Sequence, residues 1–239
     1  MKKFLLFLCA IALVFGVAGN AWATPIWGSD ASSELIGSRD SSVSPGGGID
    51  ATADWSGGDF TLGWVITESS GIWTYYYTIT ITPTGAHQEK TISHFILEVT
   101  EDDNPFYIDT GLSSPIDGDR GLDIWSGDES GNPSMPNPIY GIKFDFGGNP
   151  AEYTLVTDRA PVYGVFYSKD GKTGGTDVVA WSTALNDSDY QSNESLTTTD
   201  FIVRPNGAAP VPEPATMFLL GSGLIGLGVF GRKKFFKRG

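Results

Sequence analysis

Cysteine is all but missing from this sequence. The one present, Cys9, lies in an apolar stretch near the start. Beyond it there can be no disulfide, no thiol nucleophile and no thiolate zinc site. Histidine is nearly as scarce, with only His87 and His94, so a zinc site would have to be completed by carboxylates. No Gly-x-Ser-x-Gly nucleophile elbow occurs. Gly171-Lys172-Thr173 imitates the end of a phosphate loop, but that loop needs a glycine five residues before Gly171, where Phe166 stands. Positive charge is also thin. Between residues 24 and 211 there are 8 Lys plus Arg against 27 Asp plus Glu, a net charge of −19 where the whole chain has −13. Nucleic acid is excluded as a partner and anionic lipid headgroups are repelled, whereas hard divalent cations are favoured. Helical periodicity is missing as well: no 12-residue window of the central region carries an apolar stripe at helical spacing.

What is present repeats at every second residue. Phe60, Leu62, Trp64 and Ile66 alternate with Thr61, Gly63 and Thr67. After Glu68-Ser69-Ser70-Gly71, Trp73, Tyr75, Tyr77, Ile79 and Ile81 share one face while Thr74, Tyr76, Thr78 and Thr80 take the other. Two alternating β-branched and aromatic runs joined by a short turn predict a hairpin. Residues 92–99 predict a third strand, with Phe95, Leu97 and Val99 inward and His94 and Glu98 facing solvent. Further strand signals lie at 139–146, 152–157, 162–168, 176–182 and 201–204, and the run 168–175 has hairpin-loop chemistry. The expected fold is all-β, an antiparallel β-sandwich or jelly-roll. Segment 24–53 reads as loose, 54–204 as the core and 205–211 as a linker.

The flanks carry a different message. Lys2 and Lys3 precede an apolar run, and Ala21-Trp22-Ala23 forms an A-x-A cleavage site, so residues 1–23 read as a signal peptide. At the other end, Pro212-Glu213-Pro214 opens a segment with 18 uncharged residues, 214–231, followed by Arg232, Lys233, Lys234, Lys237 and Arg238. As a helix that run would span about 27 Å, close to a hydrocarbon core. The basic cluster should stay cytoplasmic. Motif, apolar segment and basic tail in that order resemble the PEP-CTERM sorting signal of Gram-negative bacteria. The resemblance covers residues 211–239. It implies recognition and cleavage near Pro212, Glu213 and Pro214 by a membrane-embedded exosortase, with the membrane as partner until then. Such proteins are typical of bacteria that make exopolysaccharide.

Chemistry in the core is less specific. Asp117, Asp119 and Asp123 alternate on a glycine-bearing loop, with Asp128 and Glu129 nearby, and make calcium the one candidate cofactor. The spacing departs from an EF-hand, because Gly121 stands where a third acid is wanted. Among the tryptophans, Trp64 and Trp73 fall on apolar strand faces. Trp27 and Trp55 fall in loose segments and Trp125 in the Asp-rich loop, where they are freer to bind. Trp125 and Tyr76, the latter opposite the apolar face of its strand, are the candidate glycan contacts. The expectation is an exported, non-enzymatic protein of the cell surface or extracellular matrix, anchored in the membrane or periplasmic before processing and at the surface or secreted after it. The alternatives are a carbohydrate-binding module for exopolysaccharide and a secreted glycan hydrolase, which needs two carboxylates at a set separation.

Overall fold

The computed structural model describes residues 26–42, 46–101, 122–127, 131–145 and 147–206. The expected signal peptide 1–23, Pro212-Glu213-Pro214 and the apolar run 214–231 lie outside them, and no helix among the described residues is long and apolar enough to cross a membrane. In chain order the strands are β1 (Ile36–Asp40), β2 (Ile49–Ala51), β3 (Phe60–Ser69), β4 (Ile72–Ile81), β5 (His94–Glu98), β6 (Leu122–Trp125), β7 (Ile139–Phe144), β8 (Ala151–Thr157), β9 (Pro161–Gly164), β10 (Phe166–Thr173), β11 (Thr176–Ser182) and β12 (Ile202–Pro205). The helical content among the described residues is three single 3-10 turns. The architecture is all-β and its strand pairs are antiparallel: a four-stranded sheet β1-β3-β4-β8, a six-stranded sheet β2-β11-β10-β5-β7-β6, and the pair β12-β9.

The predicted hairpin is the spine of the smaller sheet. β3 and β4 pair without a break from Phe60↔Ile81 to Ser69↔Ile72. Their turn, Ser70-Gly71, has positive φ at both residues, 57° and 81°, the handedness that matches strand twist. The inward residues of this sheet meet those of the larger one through aromatic rings. Phe60 stacks on Phe166 at 5.9 Å, and Phe95 lies 6.1 Å from Tyr77 and 5.1 Å from Tyr153. Phe144 completes the group at 5.1 Å from Tyr153. Each such contact adds about 0.5–1.5 kcal/mol beyond burial itself. The buried hydroxyls of Tyr75 and Tyr77 donate to the carbonyls of Arg159 and Val203, so neither is left unpaired.

Three expectations need correction. Segment 24–53 is not simply loose, because it supplies β1 and β2. β1 pairs with β3 from Ile36↔Val65 to Asp40↔Thr61. Gly37 is required there, since a Cβ would sit 2.5 Å from the Trp64 ring. Arg39 then lies over that ring at 5.0 Å and donates to the carbonyls of Thr198, Thr199 and Phe201. Second, residues 168–175 are mostly strand: β10 runs to Thr173, and only Gly174-Gly175 turn, at φ 57° and 89°. Third, His94 and Glu98 are buried, at 5% and 2% exposure. Alternation does turn them away from the aromatic core, but chain covers that side too. Tyr167 donates its hydroxyl to Pro133 O at 2.7 Å, Lys169 reaches Gly131 O, and Asn137 bonds Leu185 O.

Candidate functional site

The two outer faces of the sheets contrast sharply. On the four-stranded sheet, Ile36, Val65, Tyr76 and Thr154 line up across the strands. The next row is Ser38, Gly63, Thr78 and Glu152, and on the other side lie Thr67, Thr74 and Val156. Ile36 and Val65 are 75% and 42% exposed, and the threonines and Tyr76 are half-buried or exposed. Within these rows Glu152 is the one charged side chain. Hydrogen bonding to its carboxylate raises the Tyr76 phenol above its ordinary range, and Thr78 opposes this more weakly.

The outer face of the six-stranded sheet is instead built around one buried carboxylate. Glu98 accepts from Trp27 Nε1 through both oxygens at 3.0 and 3.1 Å, and from the Tyr190 hydroxyl at 2.8 Å. Val165 N donates at 2.9 Å and Arg204 Nε at 3.2 Å. Arg204 is fully buried and also donates to Thr100 Oγ1 and Pro205 O. A carboxylate offers about four lone-pair sites, and these donors use them. Glu98 is therefore an anchor that ties β5, the β9–β10 junction at Val165, β12, Trp27 and Tyr190 together. Trp27, expected free to bind, is one of its ligands. Gly164 makes room for the pair, since a Cβ would fall 2.0 Å from Arg204 Nε and 2.6 Å from Glu98 Oε2. Gly164→Ala should accordingly cost about 1–3 kcal/mol by overpacking and lower the melting temperature by several degrees. An unchanged melting curve would contradict this placement.

The two histidines lie in different settings. Asp59, fully buried, accepts from Thr84 Oγ1 and from His87 Nδ1, each at 2.6 Å. Burial alone would raise the Asp59 carboxyl, but the bonds from Thr84 and His87 outweigh it and hold it below the usual range. A carboxylate orienting an imidazole is half of a hydrolytic triad. Among the described residues no hydroxyl bonds the other ring nitrogen of His87, and the pair pins the connection between β4 and β5. His94 sits under residues 131–135, where burial first, then the charges of Lys143 and Lys169, press its pKa down to about 4. Its Nε2 and the Oδ1 of Asn132 lie buried without completing a hydrogen bond.

The other candidates scatter. Asp117 and Asp119 lie outside the described residues. Asp123 is exposed on β6, its carboxylate accepting from Ile124 N at 2.8 Å. No group of three potential metal ligands occurs among the described residues. Trp125 is on a strand rather than a loop and is only 9% exposed. Its Nε1 donates to Gly141 O, and Lys143 Nζ covers its ring at 5.0 Å, so it presents no free face. Trp55 is fully buried against Phe60. Of the aromatic candidates, only Tyr76 stays on an open surface. A cleft of about 230 Å³ lined by Ser41, Gly46, Gly48, Asp50, Ser56 and Thr183 offers hydroxyls and glycine, and its carboxylate already accepts from Asn186.

No curated protein and no solved structure matches the chain. The model of one family does, the PEP-CTERM protein-sorting motif, over residues 210–234. That match takes in Pro212, Glu213 and Pro214, the apolar run, and the first three cations of the tail. The chain thus carries a PEP-CTERM protein-sorting motif, the signal of an exported protein addressed to an exosortase.

Proposed function

We infer that this chain is a non-enzymatic protein of the cell surface or extracellular matrix. A β-sandwich is exported behind a signal peptide, held at the inner membrane by the apolar run 214–231, and released to the surface or secreted on processing near Pro212. The sorting motif at 210–234 carries this reading. Its position supports it, because β12 ends at Pro205 with Arg204 locked against Glu98. The seven residues from there to Pro212 reach at most about 25 Å fully extended, so the folded domain stays beside the membrane until it is cut. The saturated Glu98 and the latch-like role of the Asp59–His87 pair favour a structural protein over a hydrolase.

The intact mass of the protein from its native host, beside a strain lacking the exosortase, tests this. Loss of the tail near Pro212–Pro214 only where the exosortase is present is expected. A full-length tail in the membrane of both strains would overturn the surface assignment.

A further inference from the structure

We propose that the outer face of the four-stranded sheet binds a neutral polysaccharide, with Tyr76 as the platform on which sugar rings stack. The proposal rests on the surface-protein reading and names its partner. Tyr76 starts in the row of Val65 and Thr154, yet its hydroxyl interacts with Glu152 and Thr78, which belong to the next row. Those rows are about 6.7 Å apart, two strand residues, close to the reach of a tyrosine. The side chain therefore leans along the sheet toward that row. Gly63, in the row under the hydroxyl, adds no side chain beside it. A tyrosine leaning over the sheet turns apolar ring surface to the outer side, and the axial C–H groups of a pyranose pack against such surface.

The surroundings fit the same ligand. Val65 and Ile36 extend the apolar strip from Tyr76 across the neighbouring strands at about 4.8 Å per strand, giving sugar rings a continuous low-polarity track. Thr67, Thr74, Thr78 and Thr154 flank it with hydroxyls that both donate and accept, and Glu152 adds an acceptor. Tyrosine supplies this contact area at low entropic cost.

Charge selects among occupants. These rows contain no cation, and the chain carries a net −13. An anionic polymer would be repelled, and a second copy would bring the same sign of charge to a surface with nothing to neutralise it. A neutral chain of hydroxyl-bearing rings suffers neither penalty.

The test is binding of the full chain to microcrystalline cellulose, chitin, mannan and dextran, with alginate as the anionic comparison. Retention by at least one neutral polymer is expected, little affected by salt. Tyr76→Ala should weaken it at least tenfold at an unchanged melting temperature, and Tyr76→Phe, which keeps the ring, should retain most of it. Binding to none of the neutral polymers, preference for alginate, or binding indifferent to Tyr76→Ala would each overturn the proposal. So would a concentration-dependent dimer in sedimentation that Tyr76→Ala dissolves, since the face would then belong to a second copy. Tail processing without glycan binding would sink this proposal alone. Tyr76-dependent glycan binding by a chain whose tail is never cut would sink the surface assignment and leave this one standing.

Discussion

Glu98→Ala is expected to cost about 3–5 kcal/mol, the penalty for removing one partner of a buried ion pair, and to lower the melting temperature on the order of 10 °C. The loss goes well beyond one contact. Arg204 is fully buried and its Nη2 already has no partner. Without the carboxylate its charge loses the one neutralising group it has among the described residues, while Trp27 Nε1, the Tyr190 hydroxyl and Val165 N lose their acceptor. Leaving buried donors unsatisfied is itself costly, which places the loss above that of an ordinary contact. The same reasoning predicts strong coupling. In Glu98→Leu with Arg204→Met both charges are gone, and apolar replacements of similar size often match a buried pair. The double variant should therefore be more stable than the sum of the single losses by well over 1 kcal/mol. Urea unfolding of the two singles and the double closes the cycle. Additive losses, or a Glu98→Ala variant within about 1 kcal/mol of the parent, would show that the pair does not hold these strands together.

Nothing local in the sequence marks that anchor. Alternation states which side of a strand a residue points to, and it did so correctly for β5. It does not state what lies on that side. The covering chain comes from Trp27, from residues 131–138 and from Tyr190, none of which shows periodicity. Arg204 was the visible clue: an arginine closing the apolar run Phe201-Ile202-Val203 has to be paired somewhere. β1 was hidden for a related reason. Its Gly37 and Arg39 look like loop residues, yet one clears space for Trp64 and the other caps its ring. Trp125 failed because its neighbours are acidic and loop-like, while its own burial depends on Lys143 and Gly141, distant in sequence. The outward side of Tyr76 was legible because its neighbours Tyr75 and Tyr77 are strongly inward, which leaves it one side only. The sorting motif needs no tertiary structure, since its three parts are contiguous and ordered.

Acidification should cost this protein stability through His94, between about pH 6.5 and pH 4. In the unfolded chain its imidazole titrates near the ordinary value of about 6.5, whereas burial and the nearby Lys143 and Lys169 hold it to about 4 in the fold. Asp145 and Asn132 push the other way without reversing this. Above pH 6.5 the group is neutral in both states and contributes no pH dependence. As pH falls through 6.5 the unfolded chain takes up a proton that the native state refuses, so stability drops. The drop ends near pH 4, where the native imidazole also protonates, after a total of about 3 kcal/mol at roughly 1.4 per unit of separation. Asp59, whose folded pKa is lowered, adds its own loss at lower pH, so the histidine must be isolated by difference. The stability of the parent minus that of His94→Gln should fall by about 2 kcal/mol between pH 7 and pH 5. Lys143→Gln, which removes a like charge beside the imidazole, should narrow the gap between the two pKa values and shrink that fall. If the parent and His94→Gln curves instead run parallel across this range, the imidazole titrates alike in both states and residues 131–135 do not seal it.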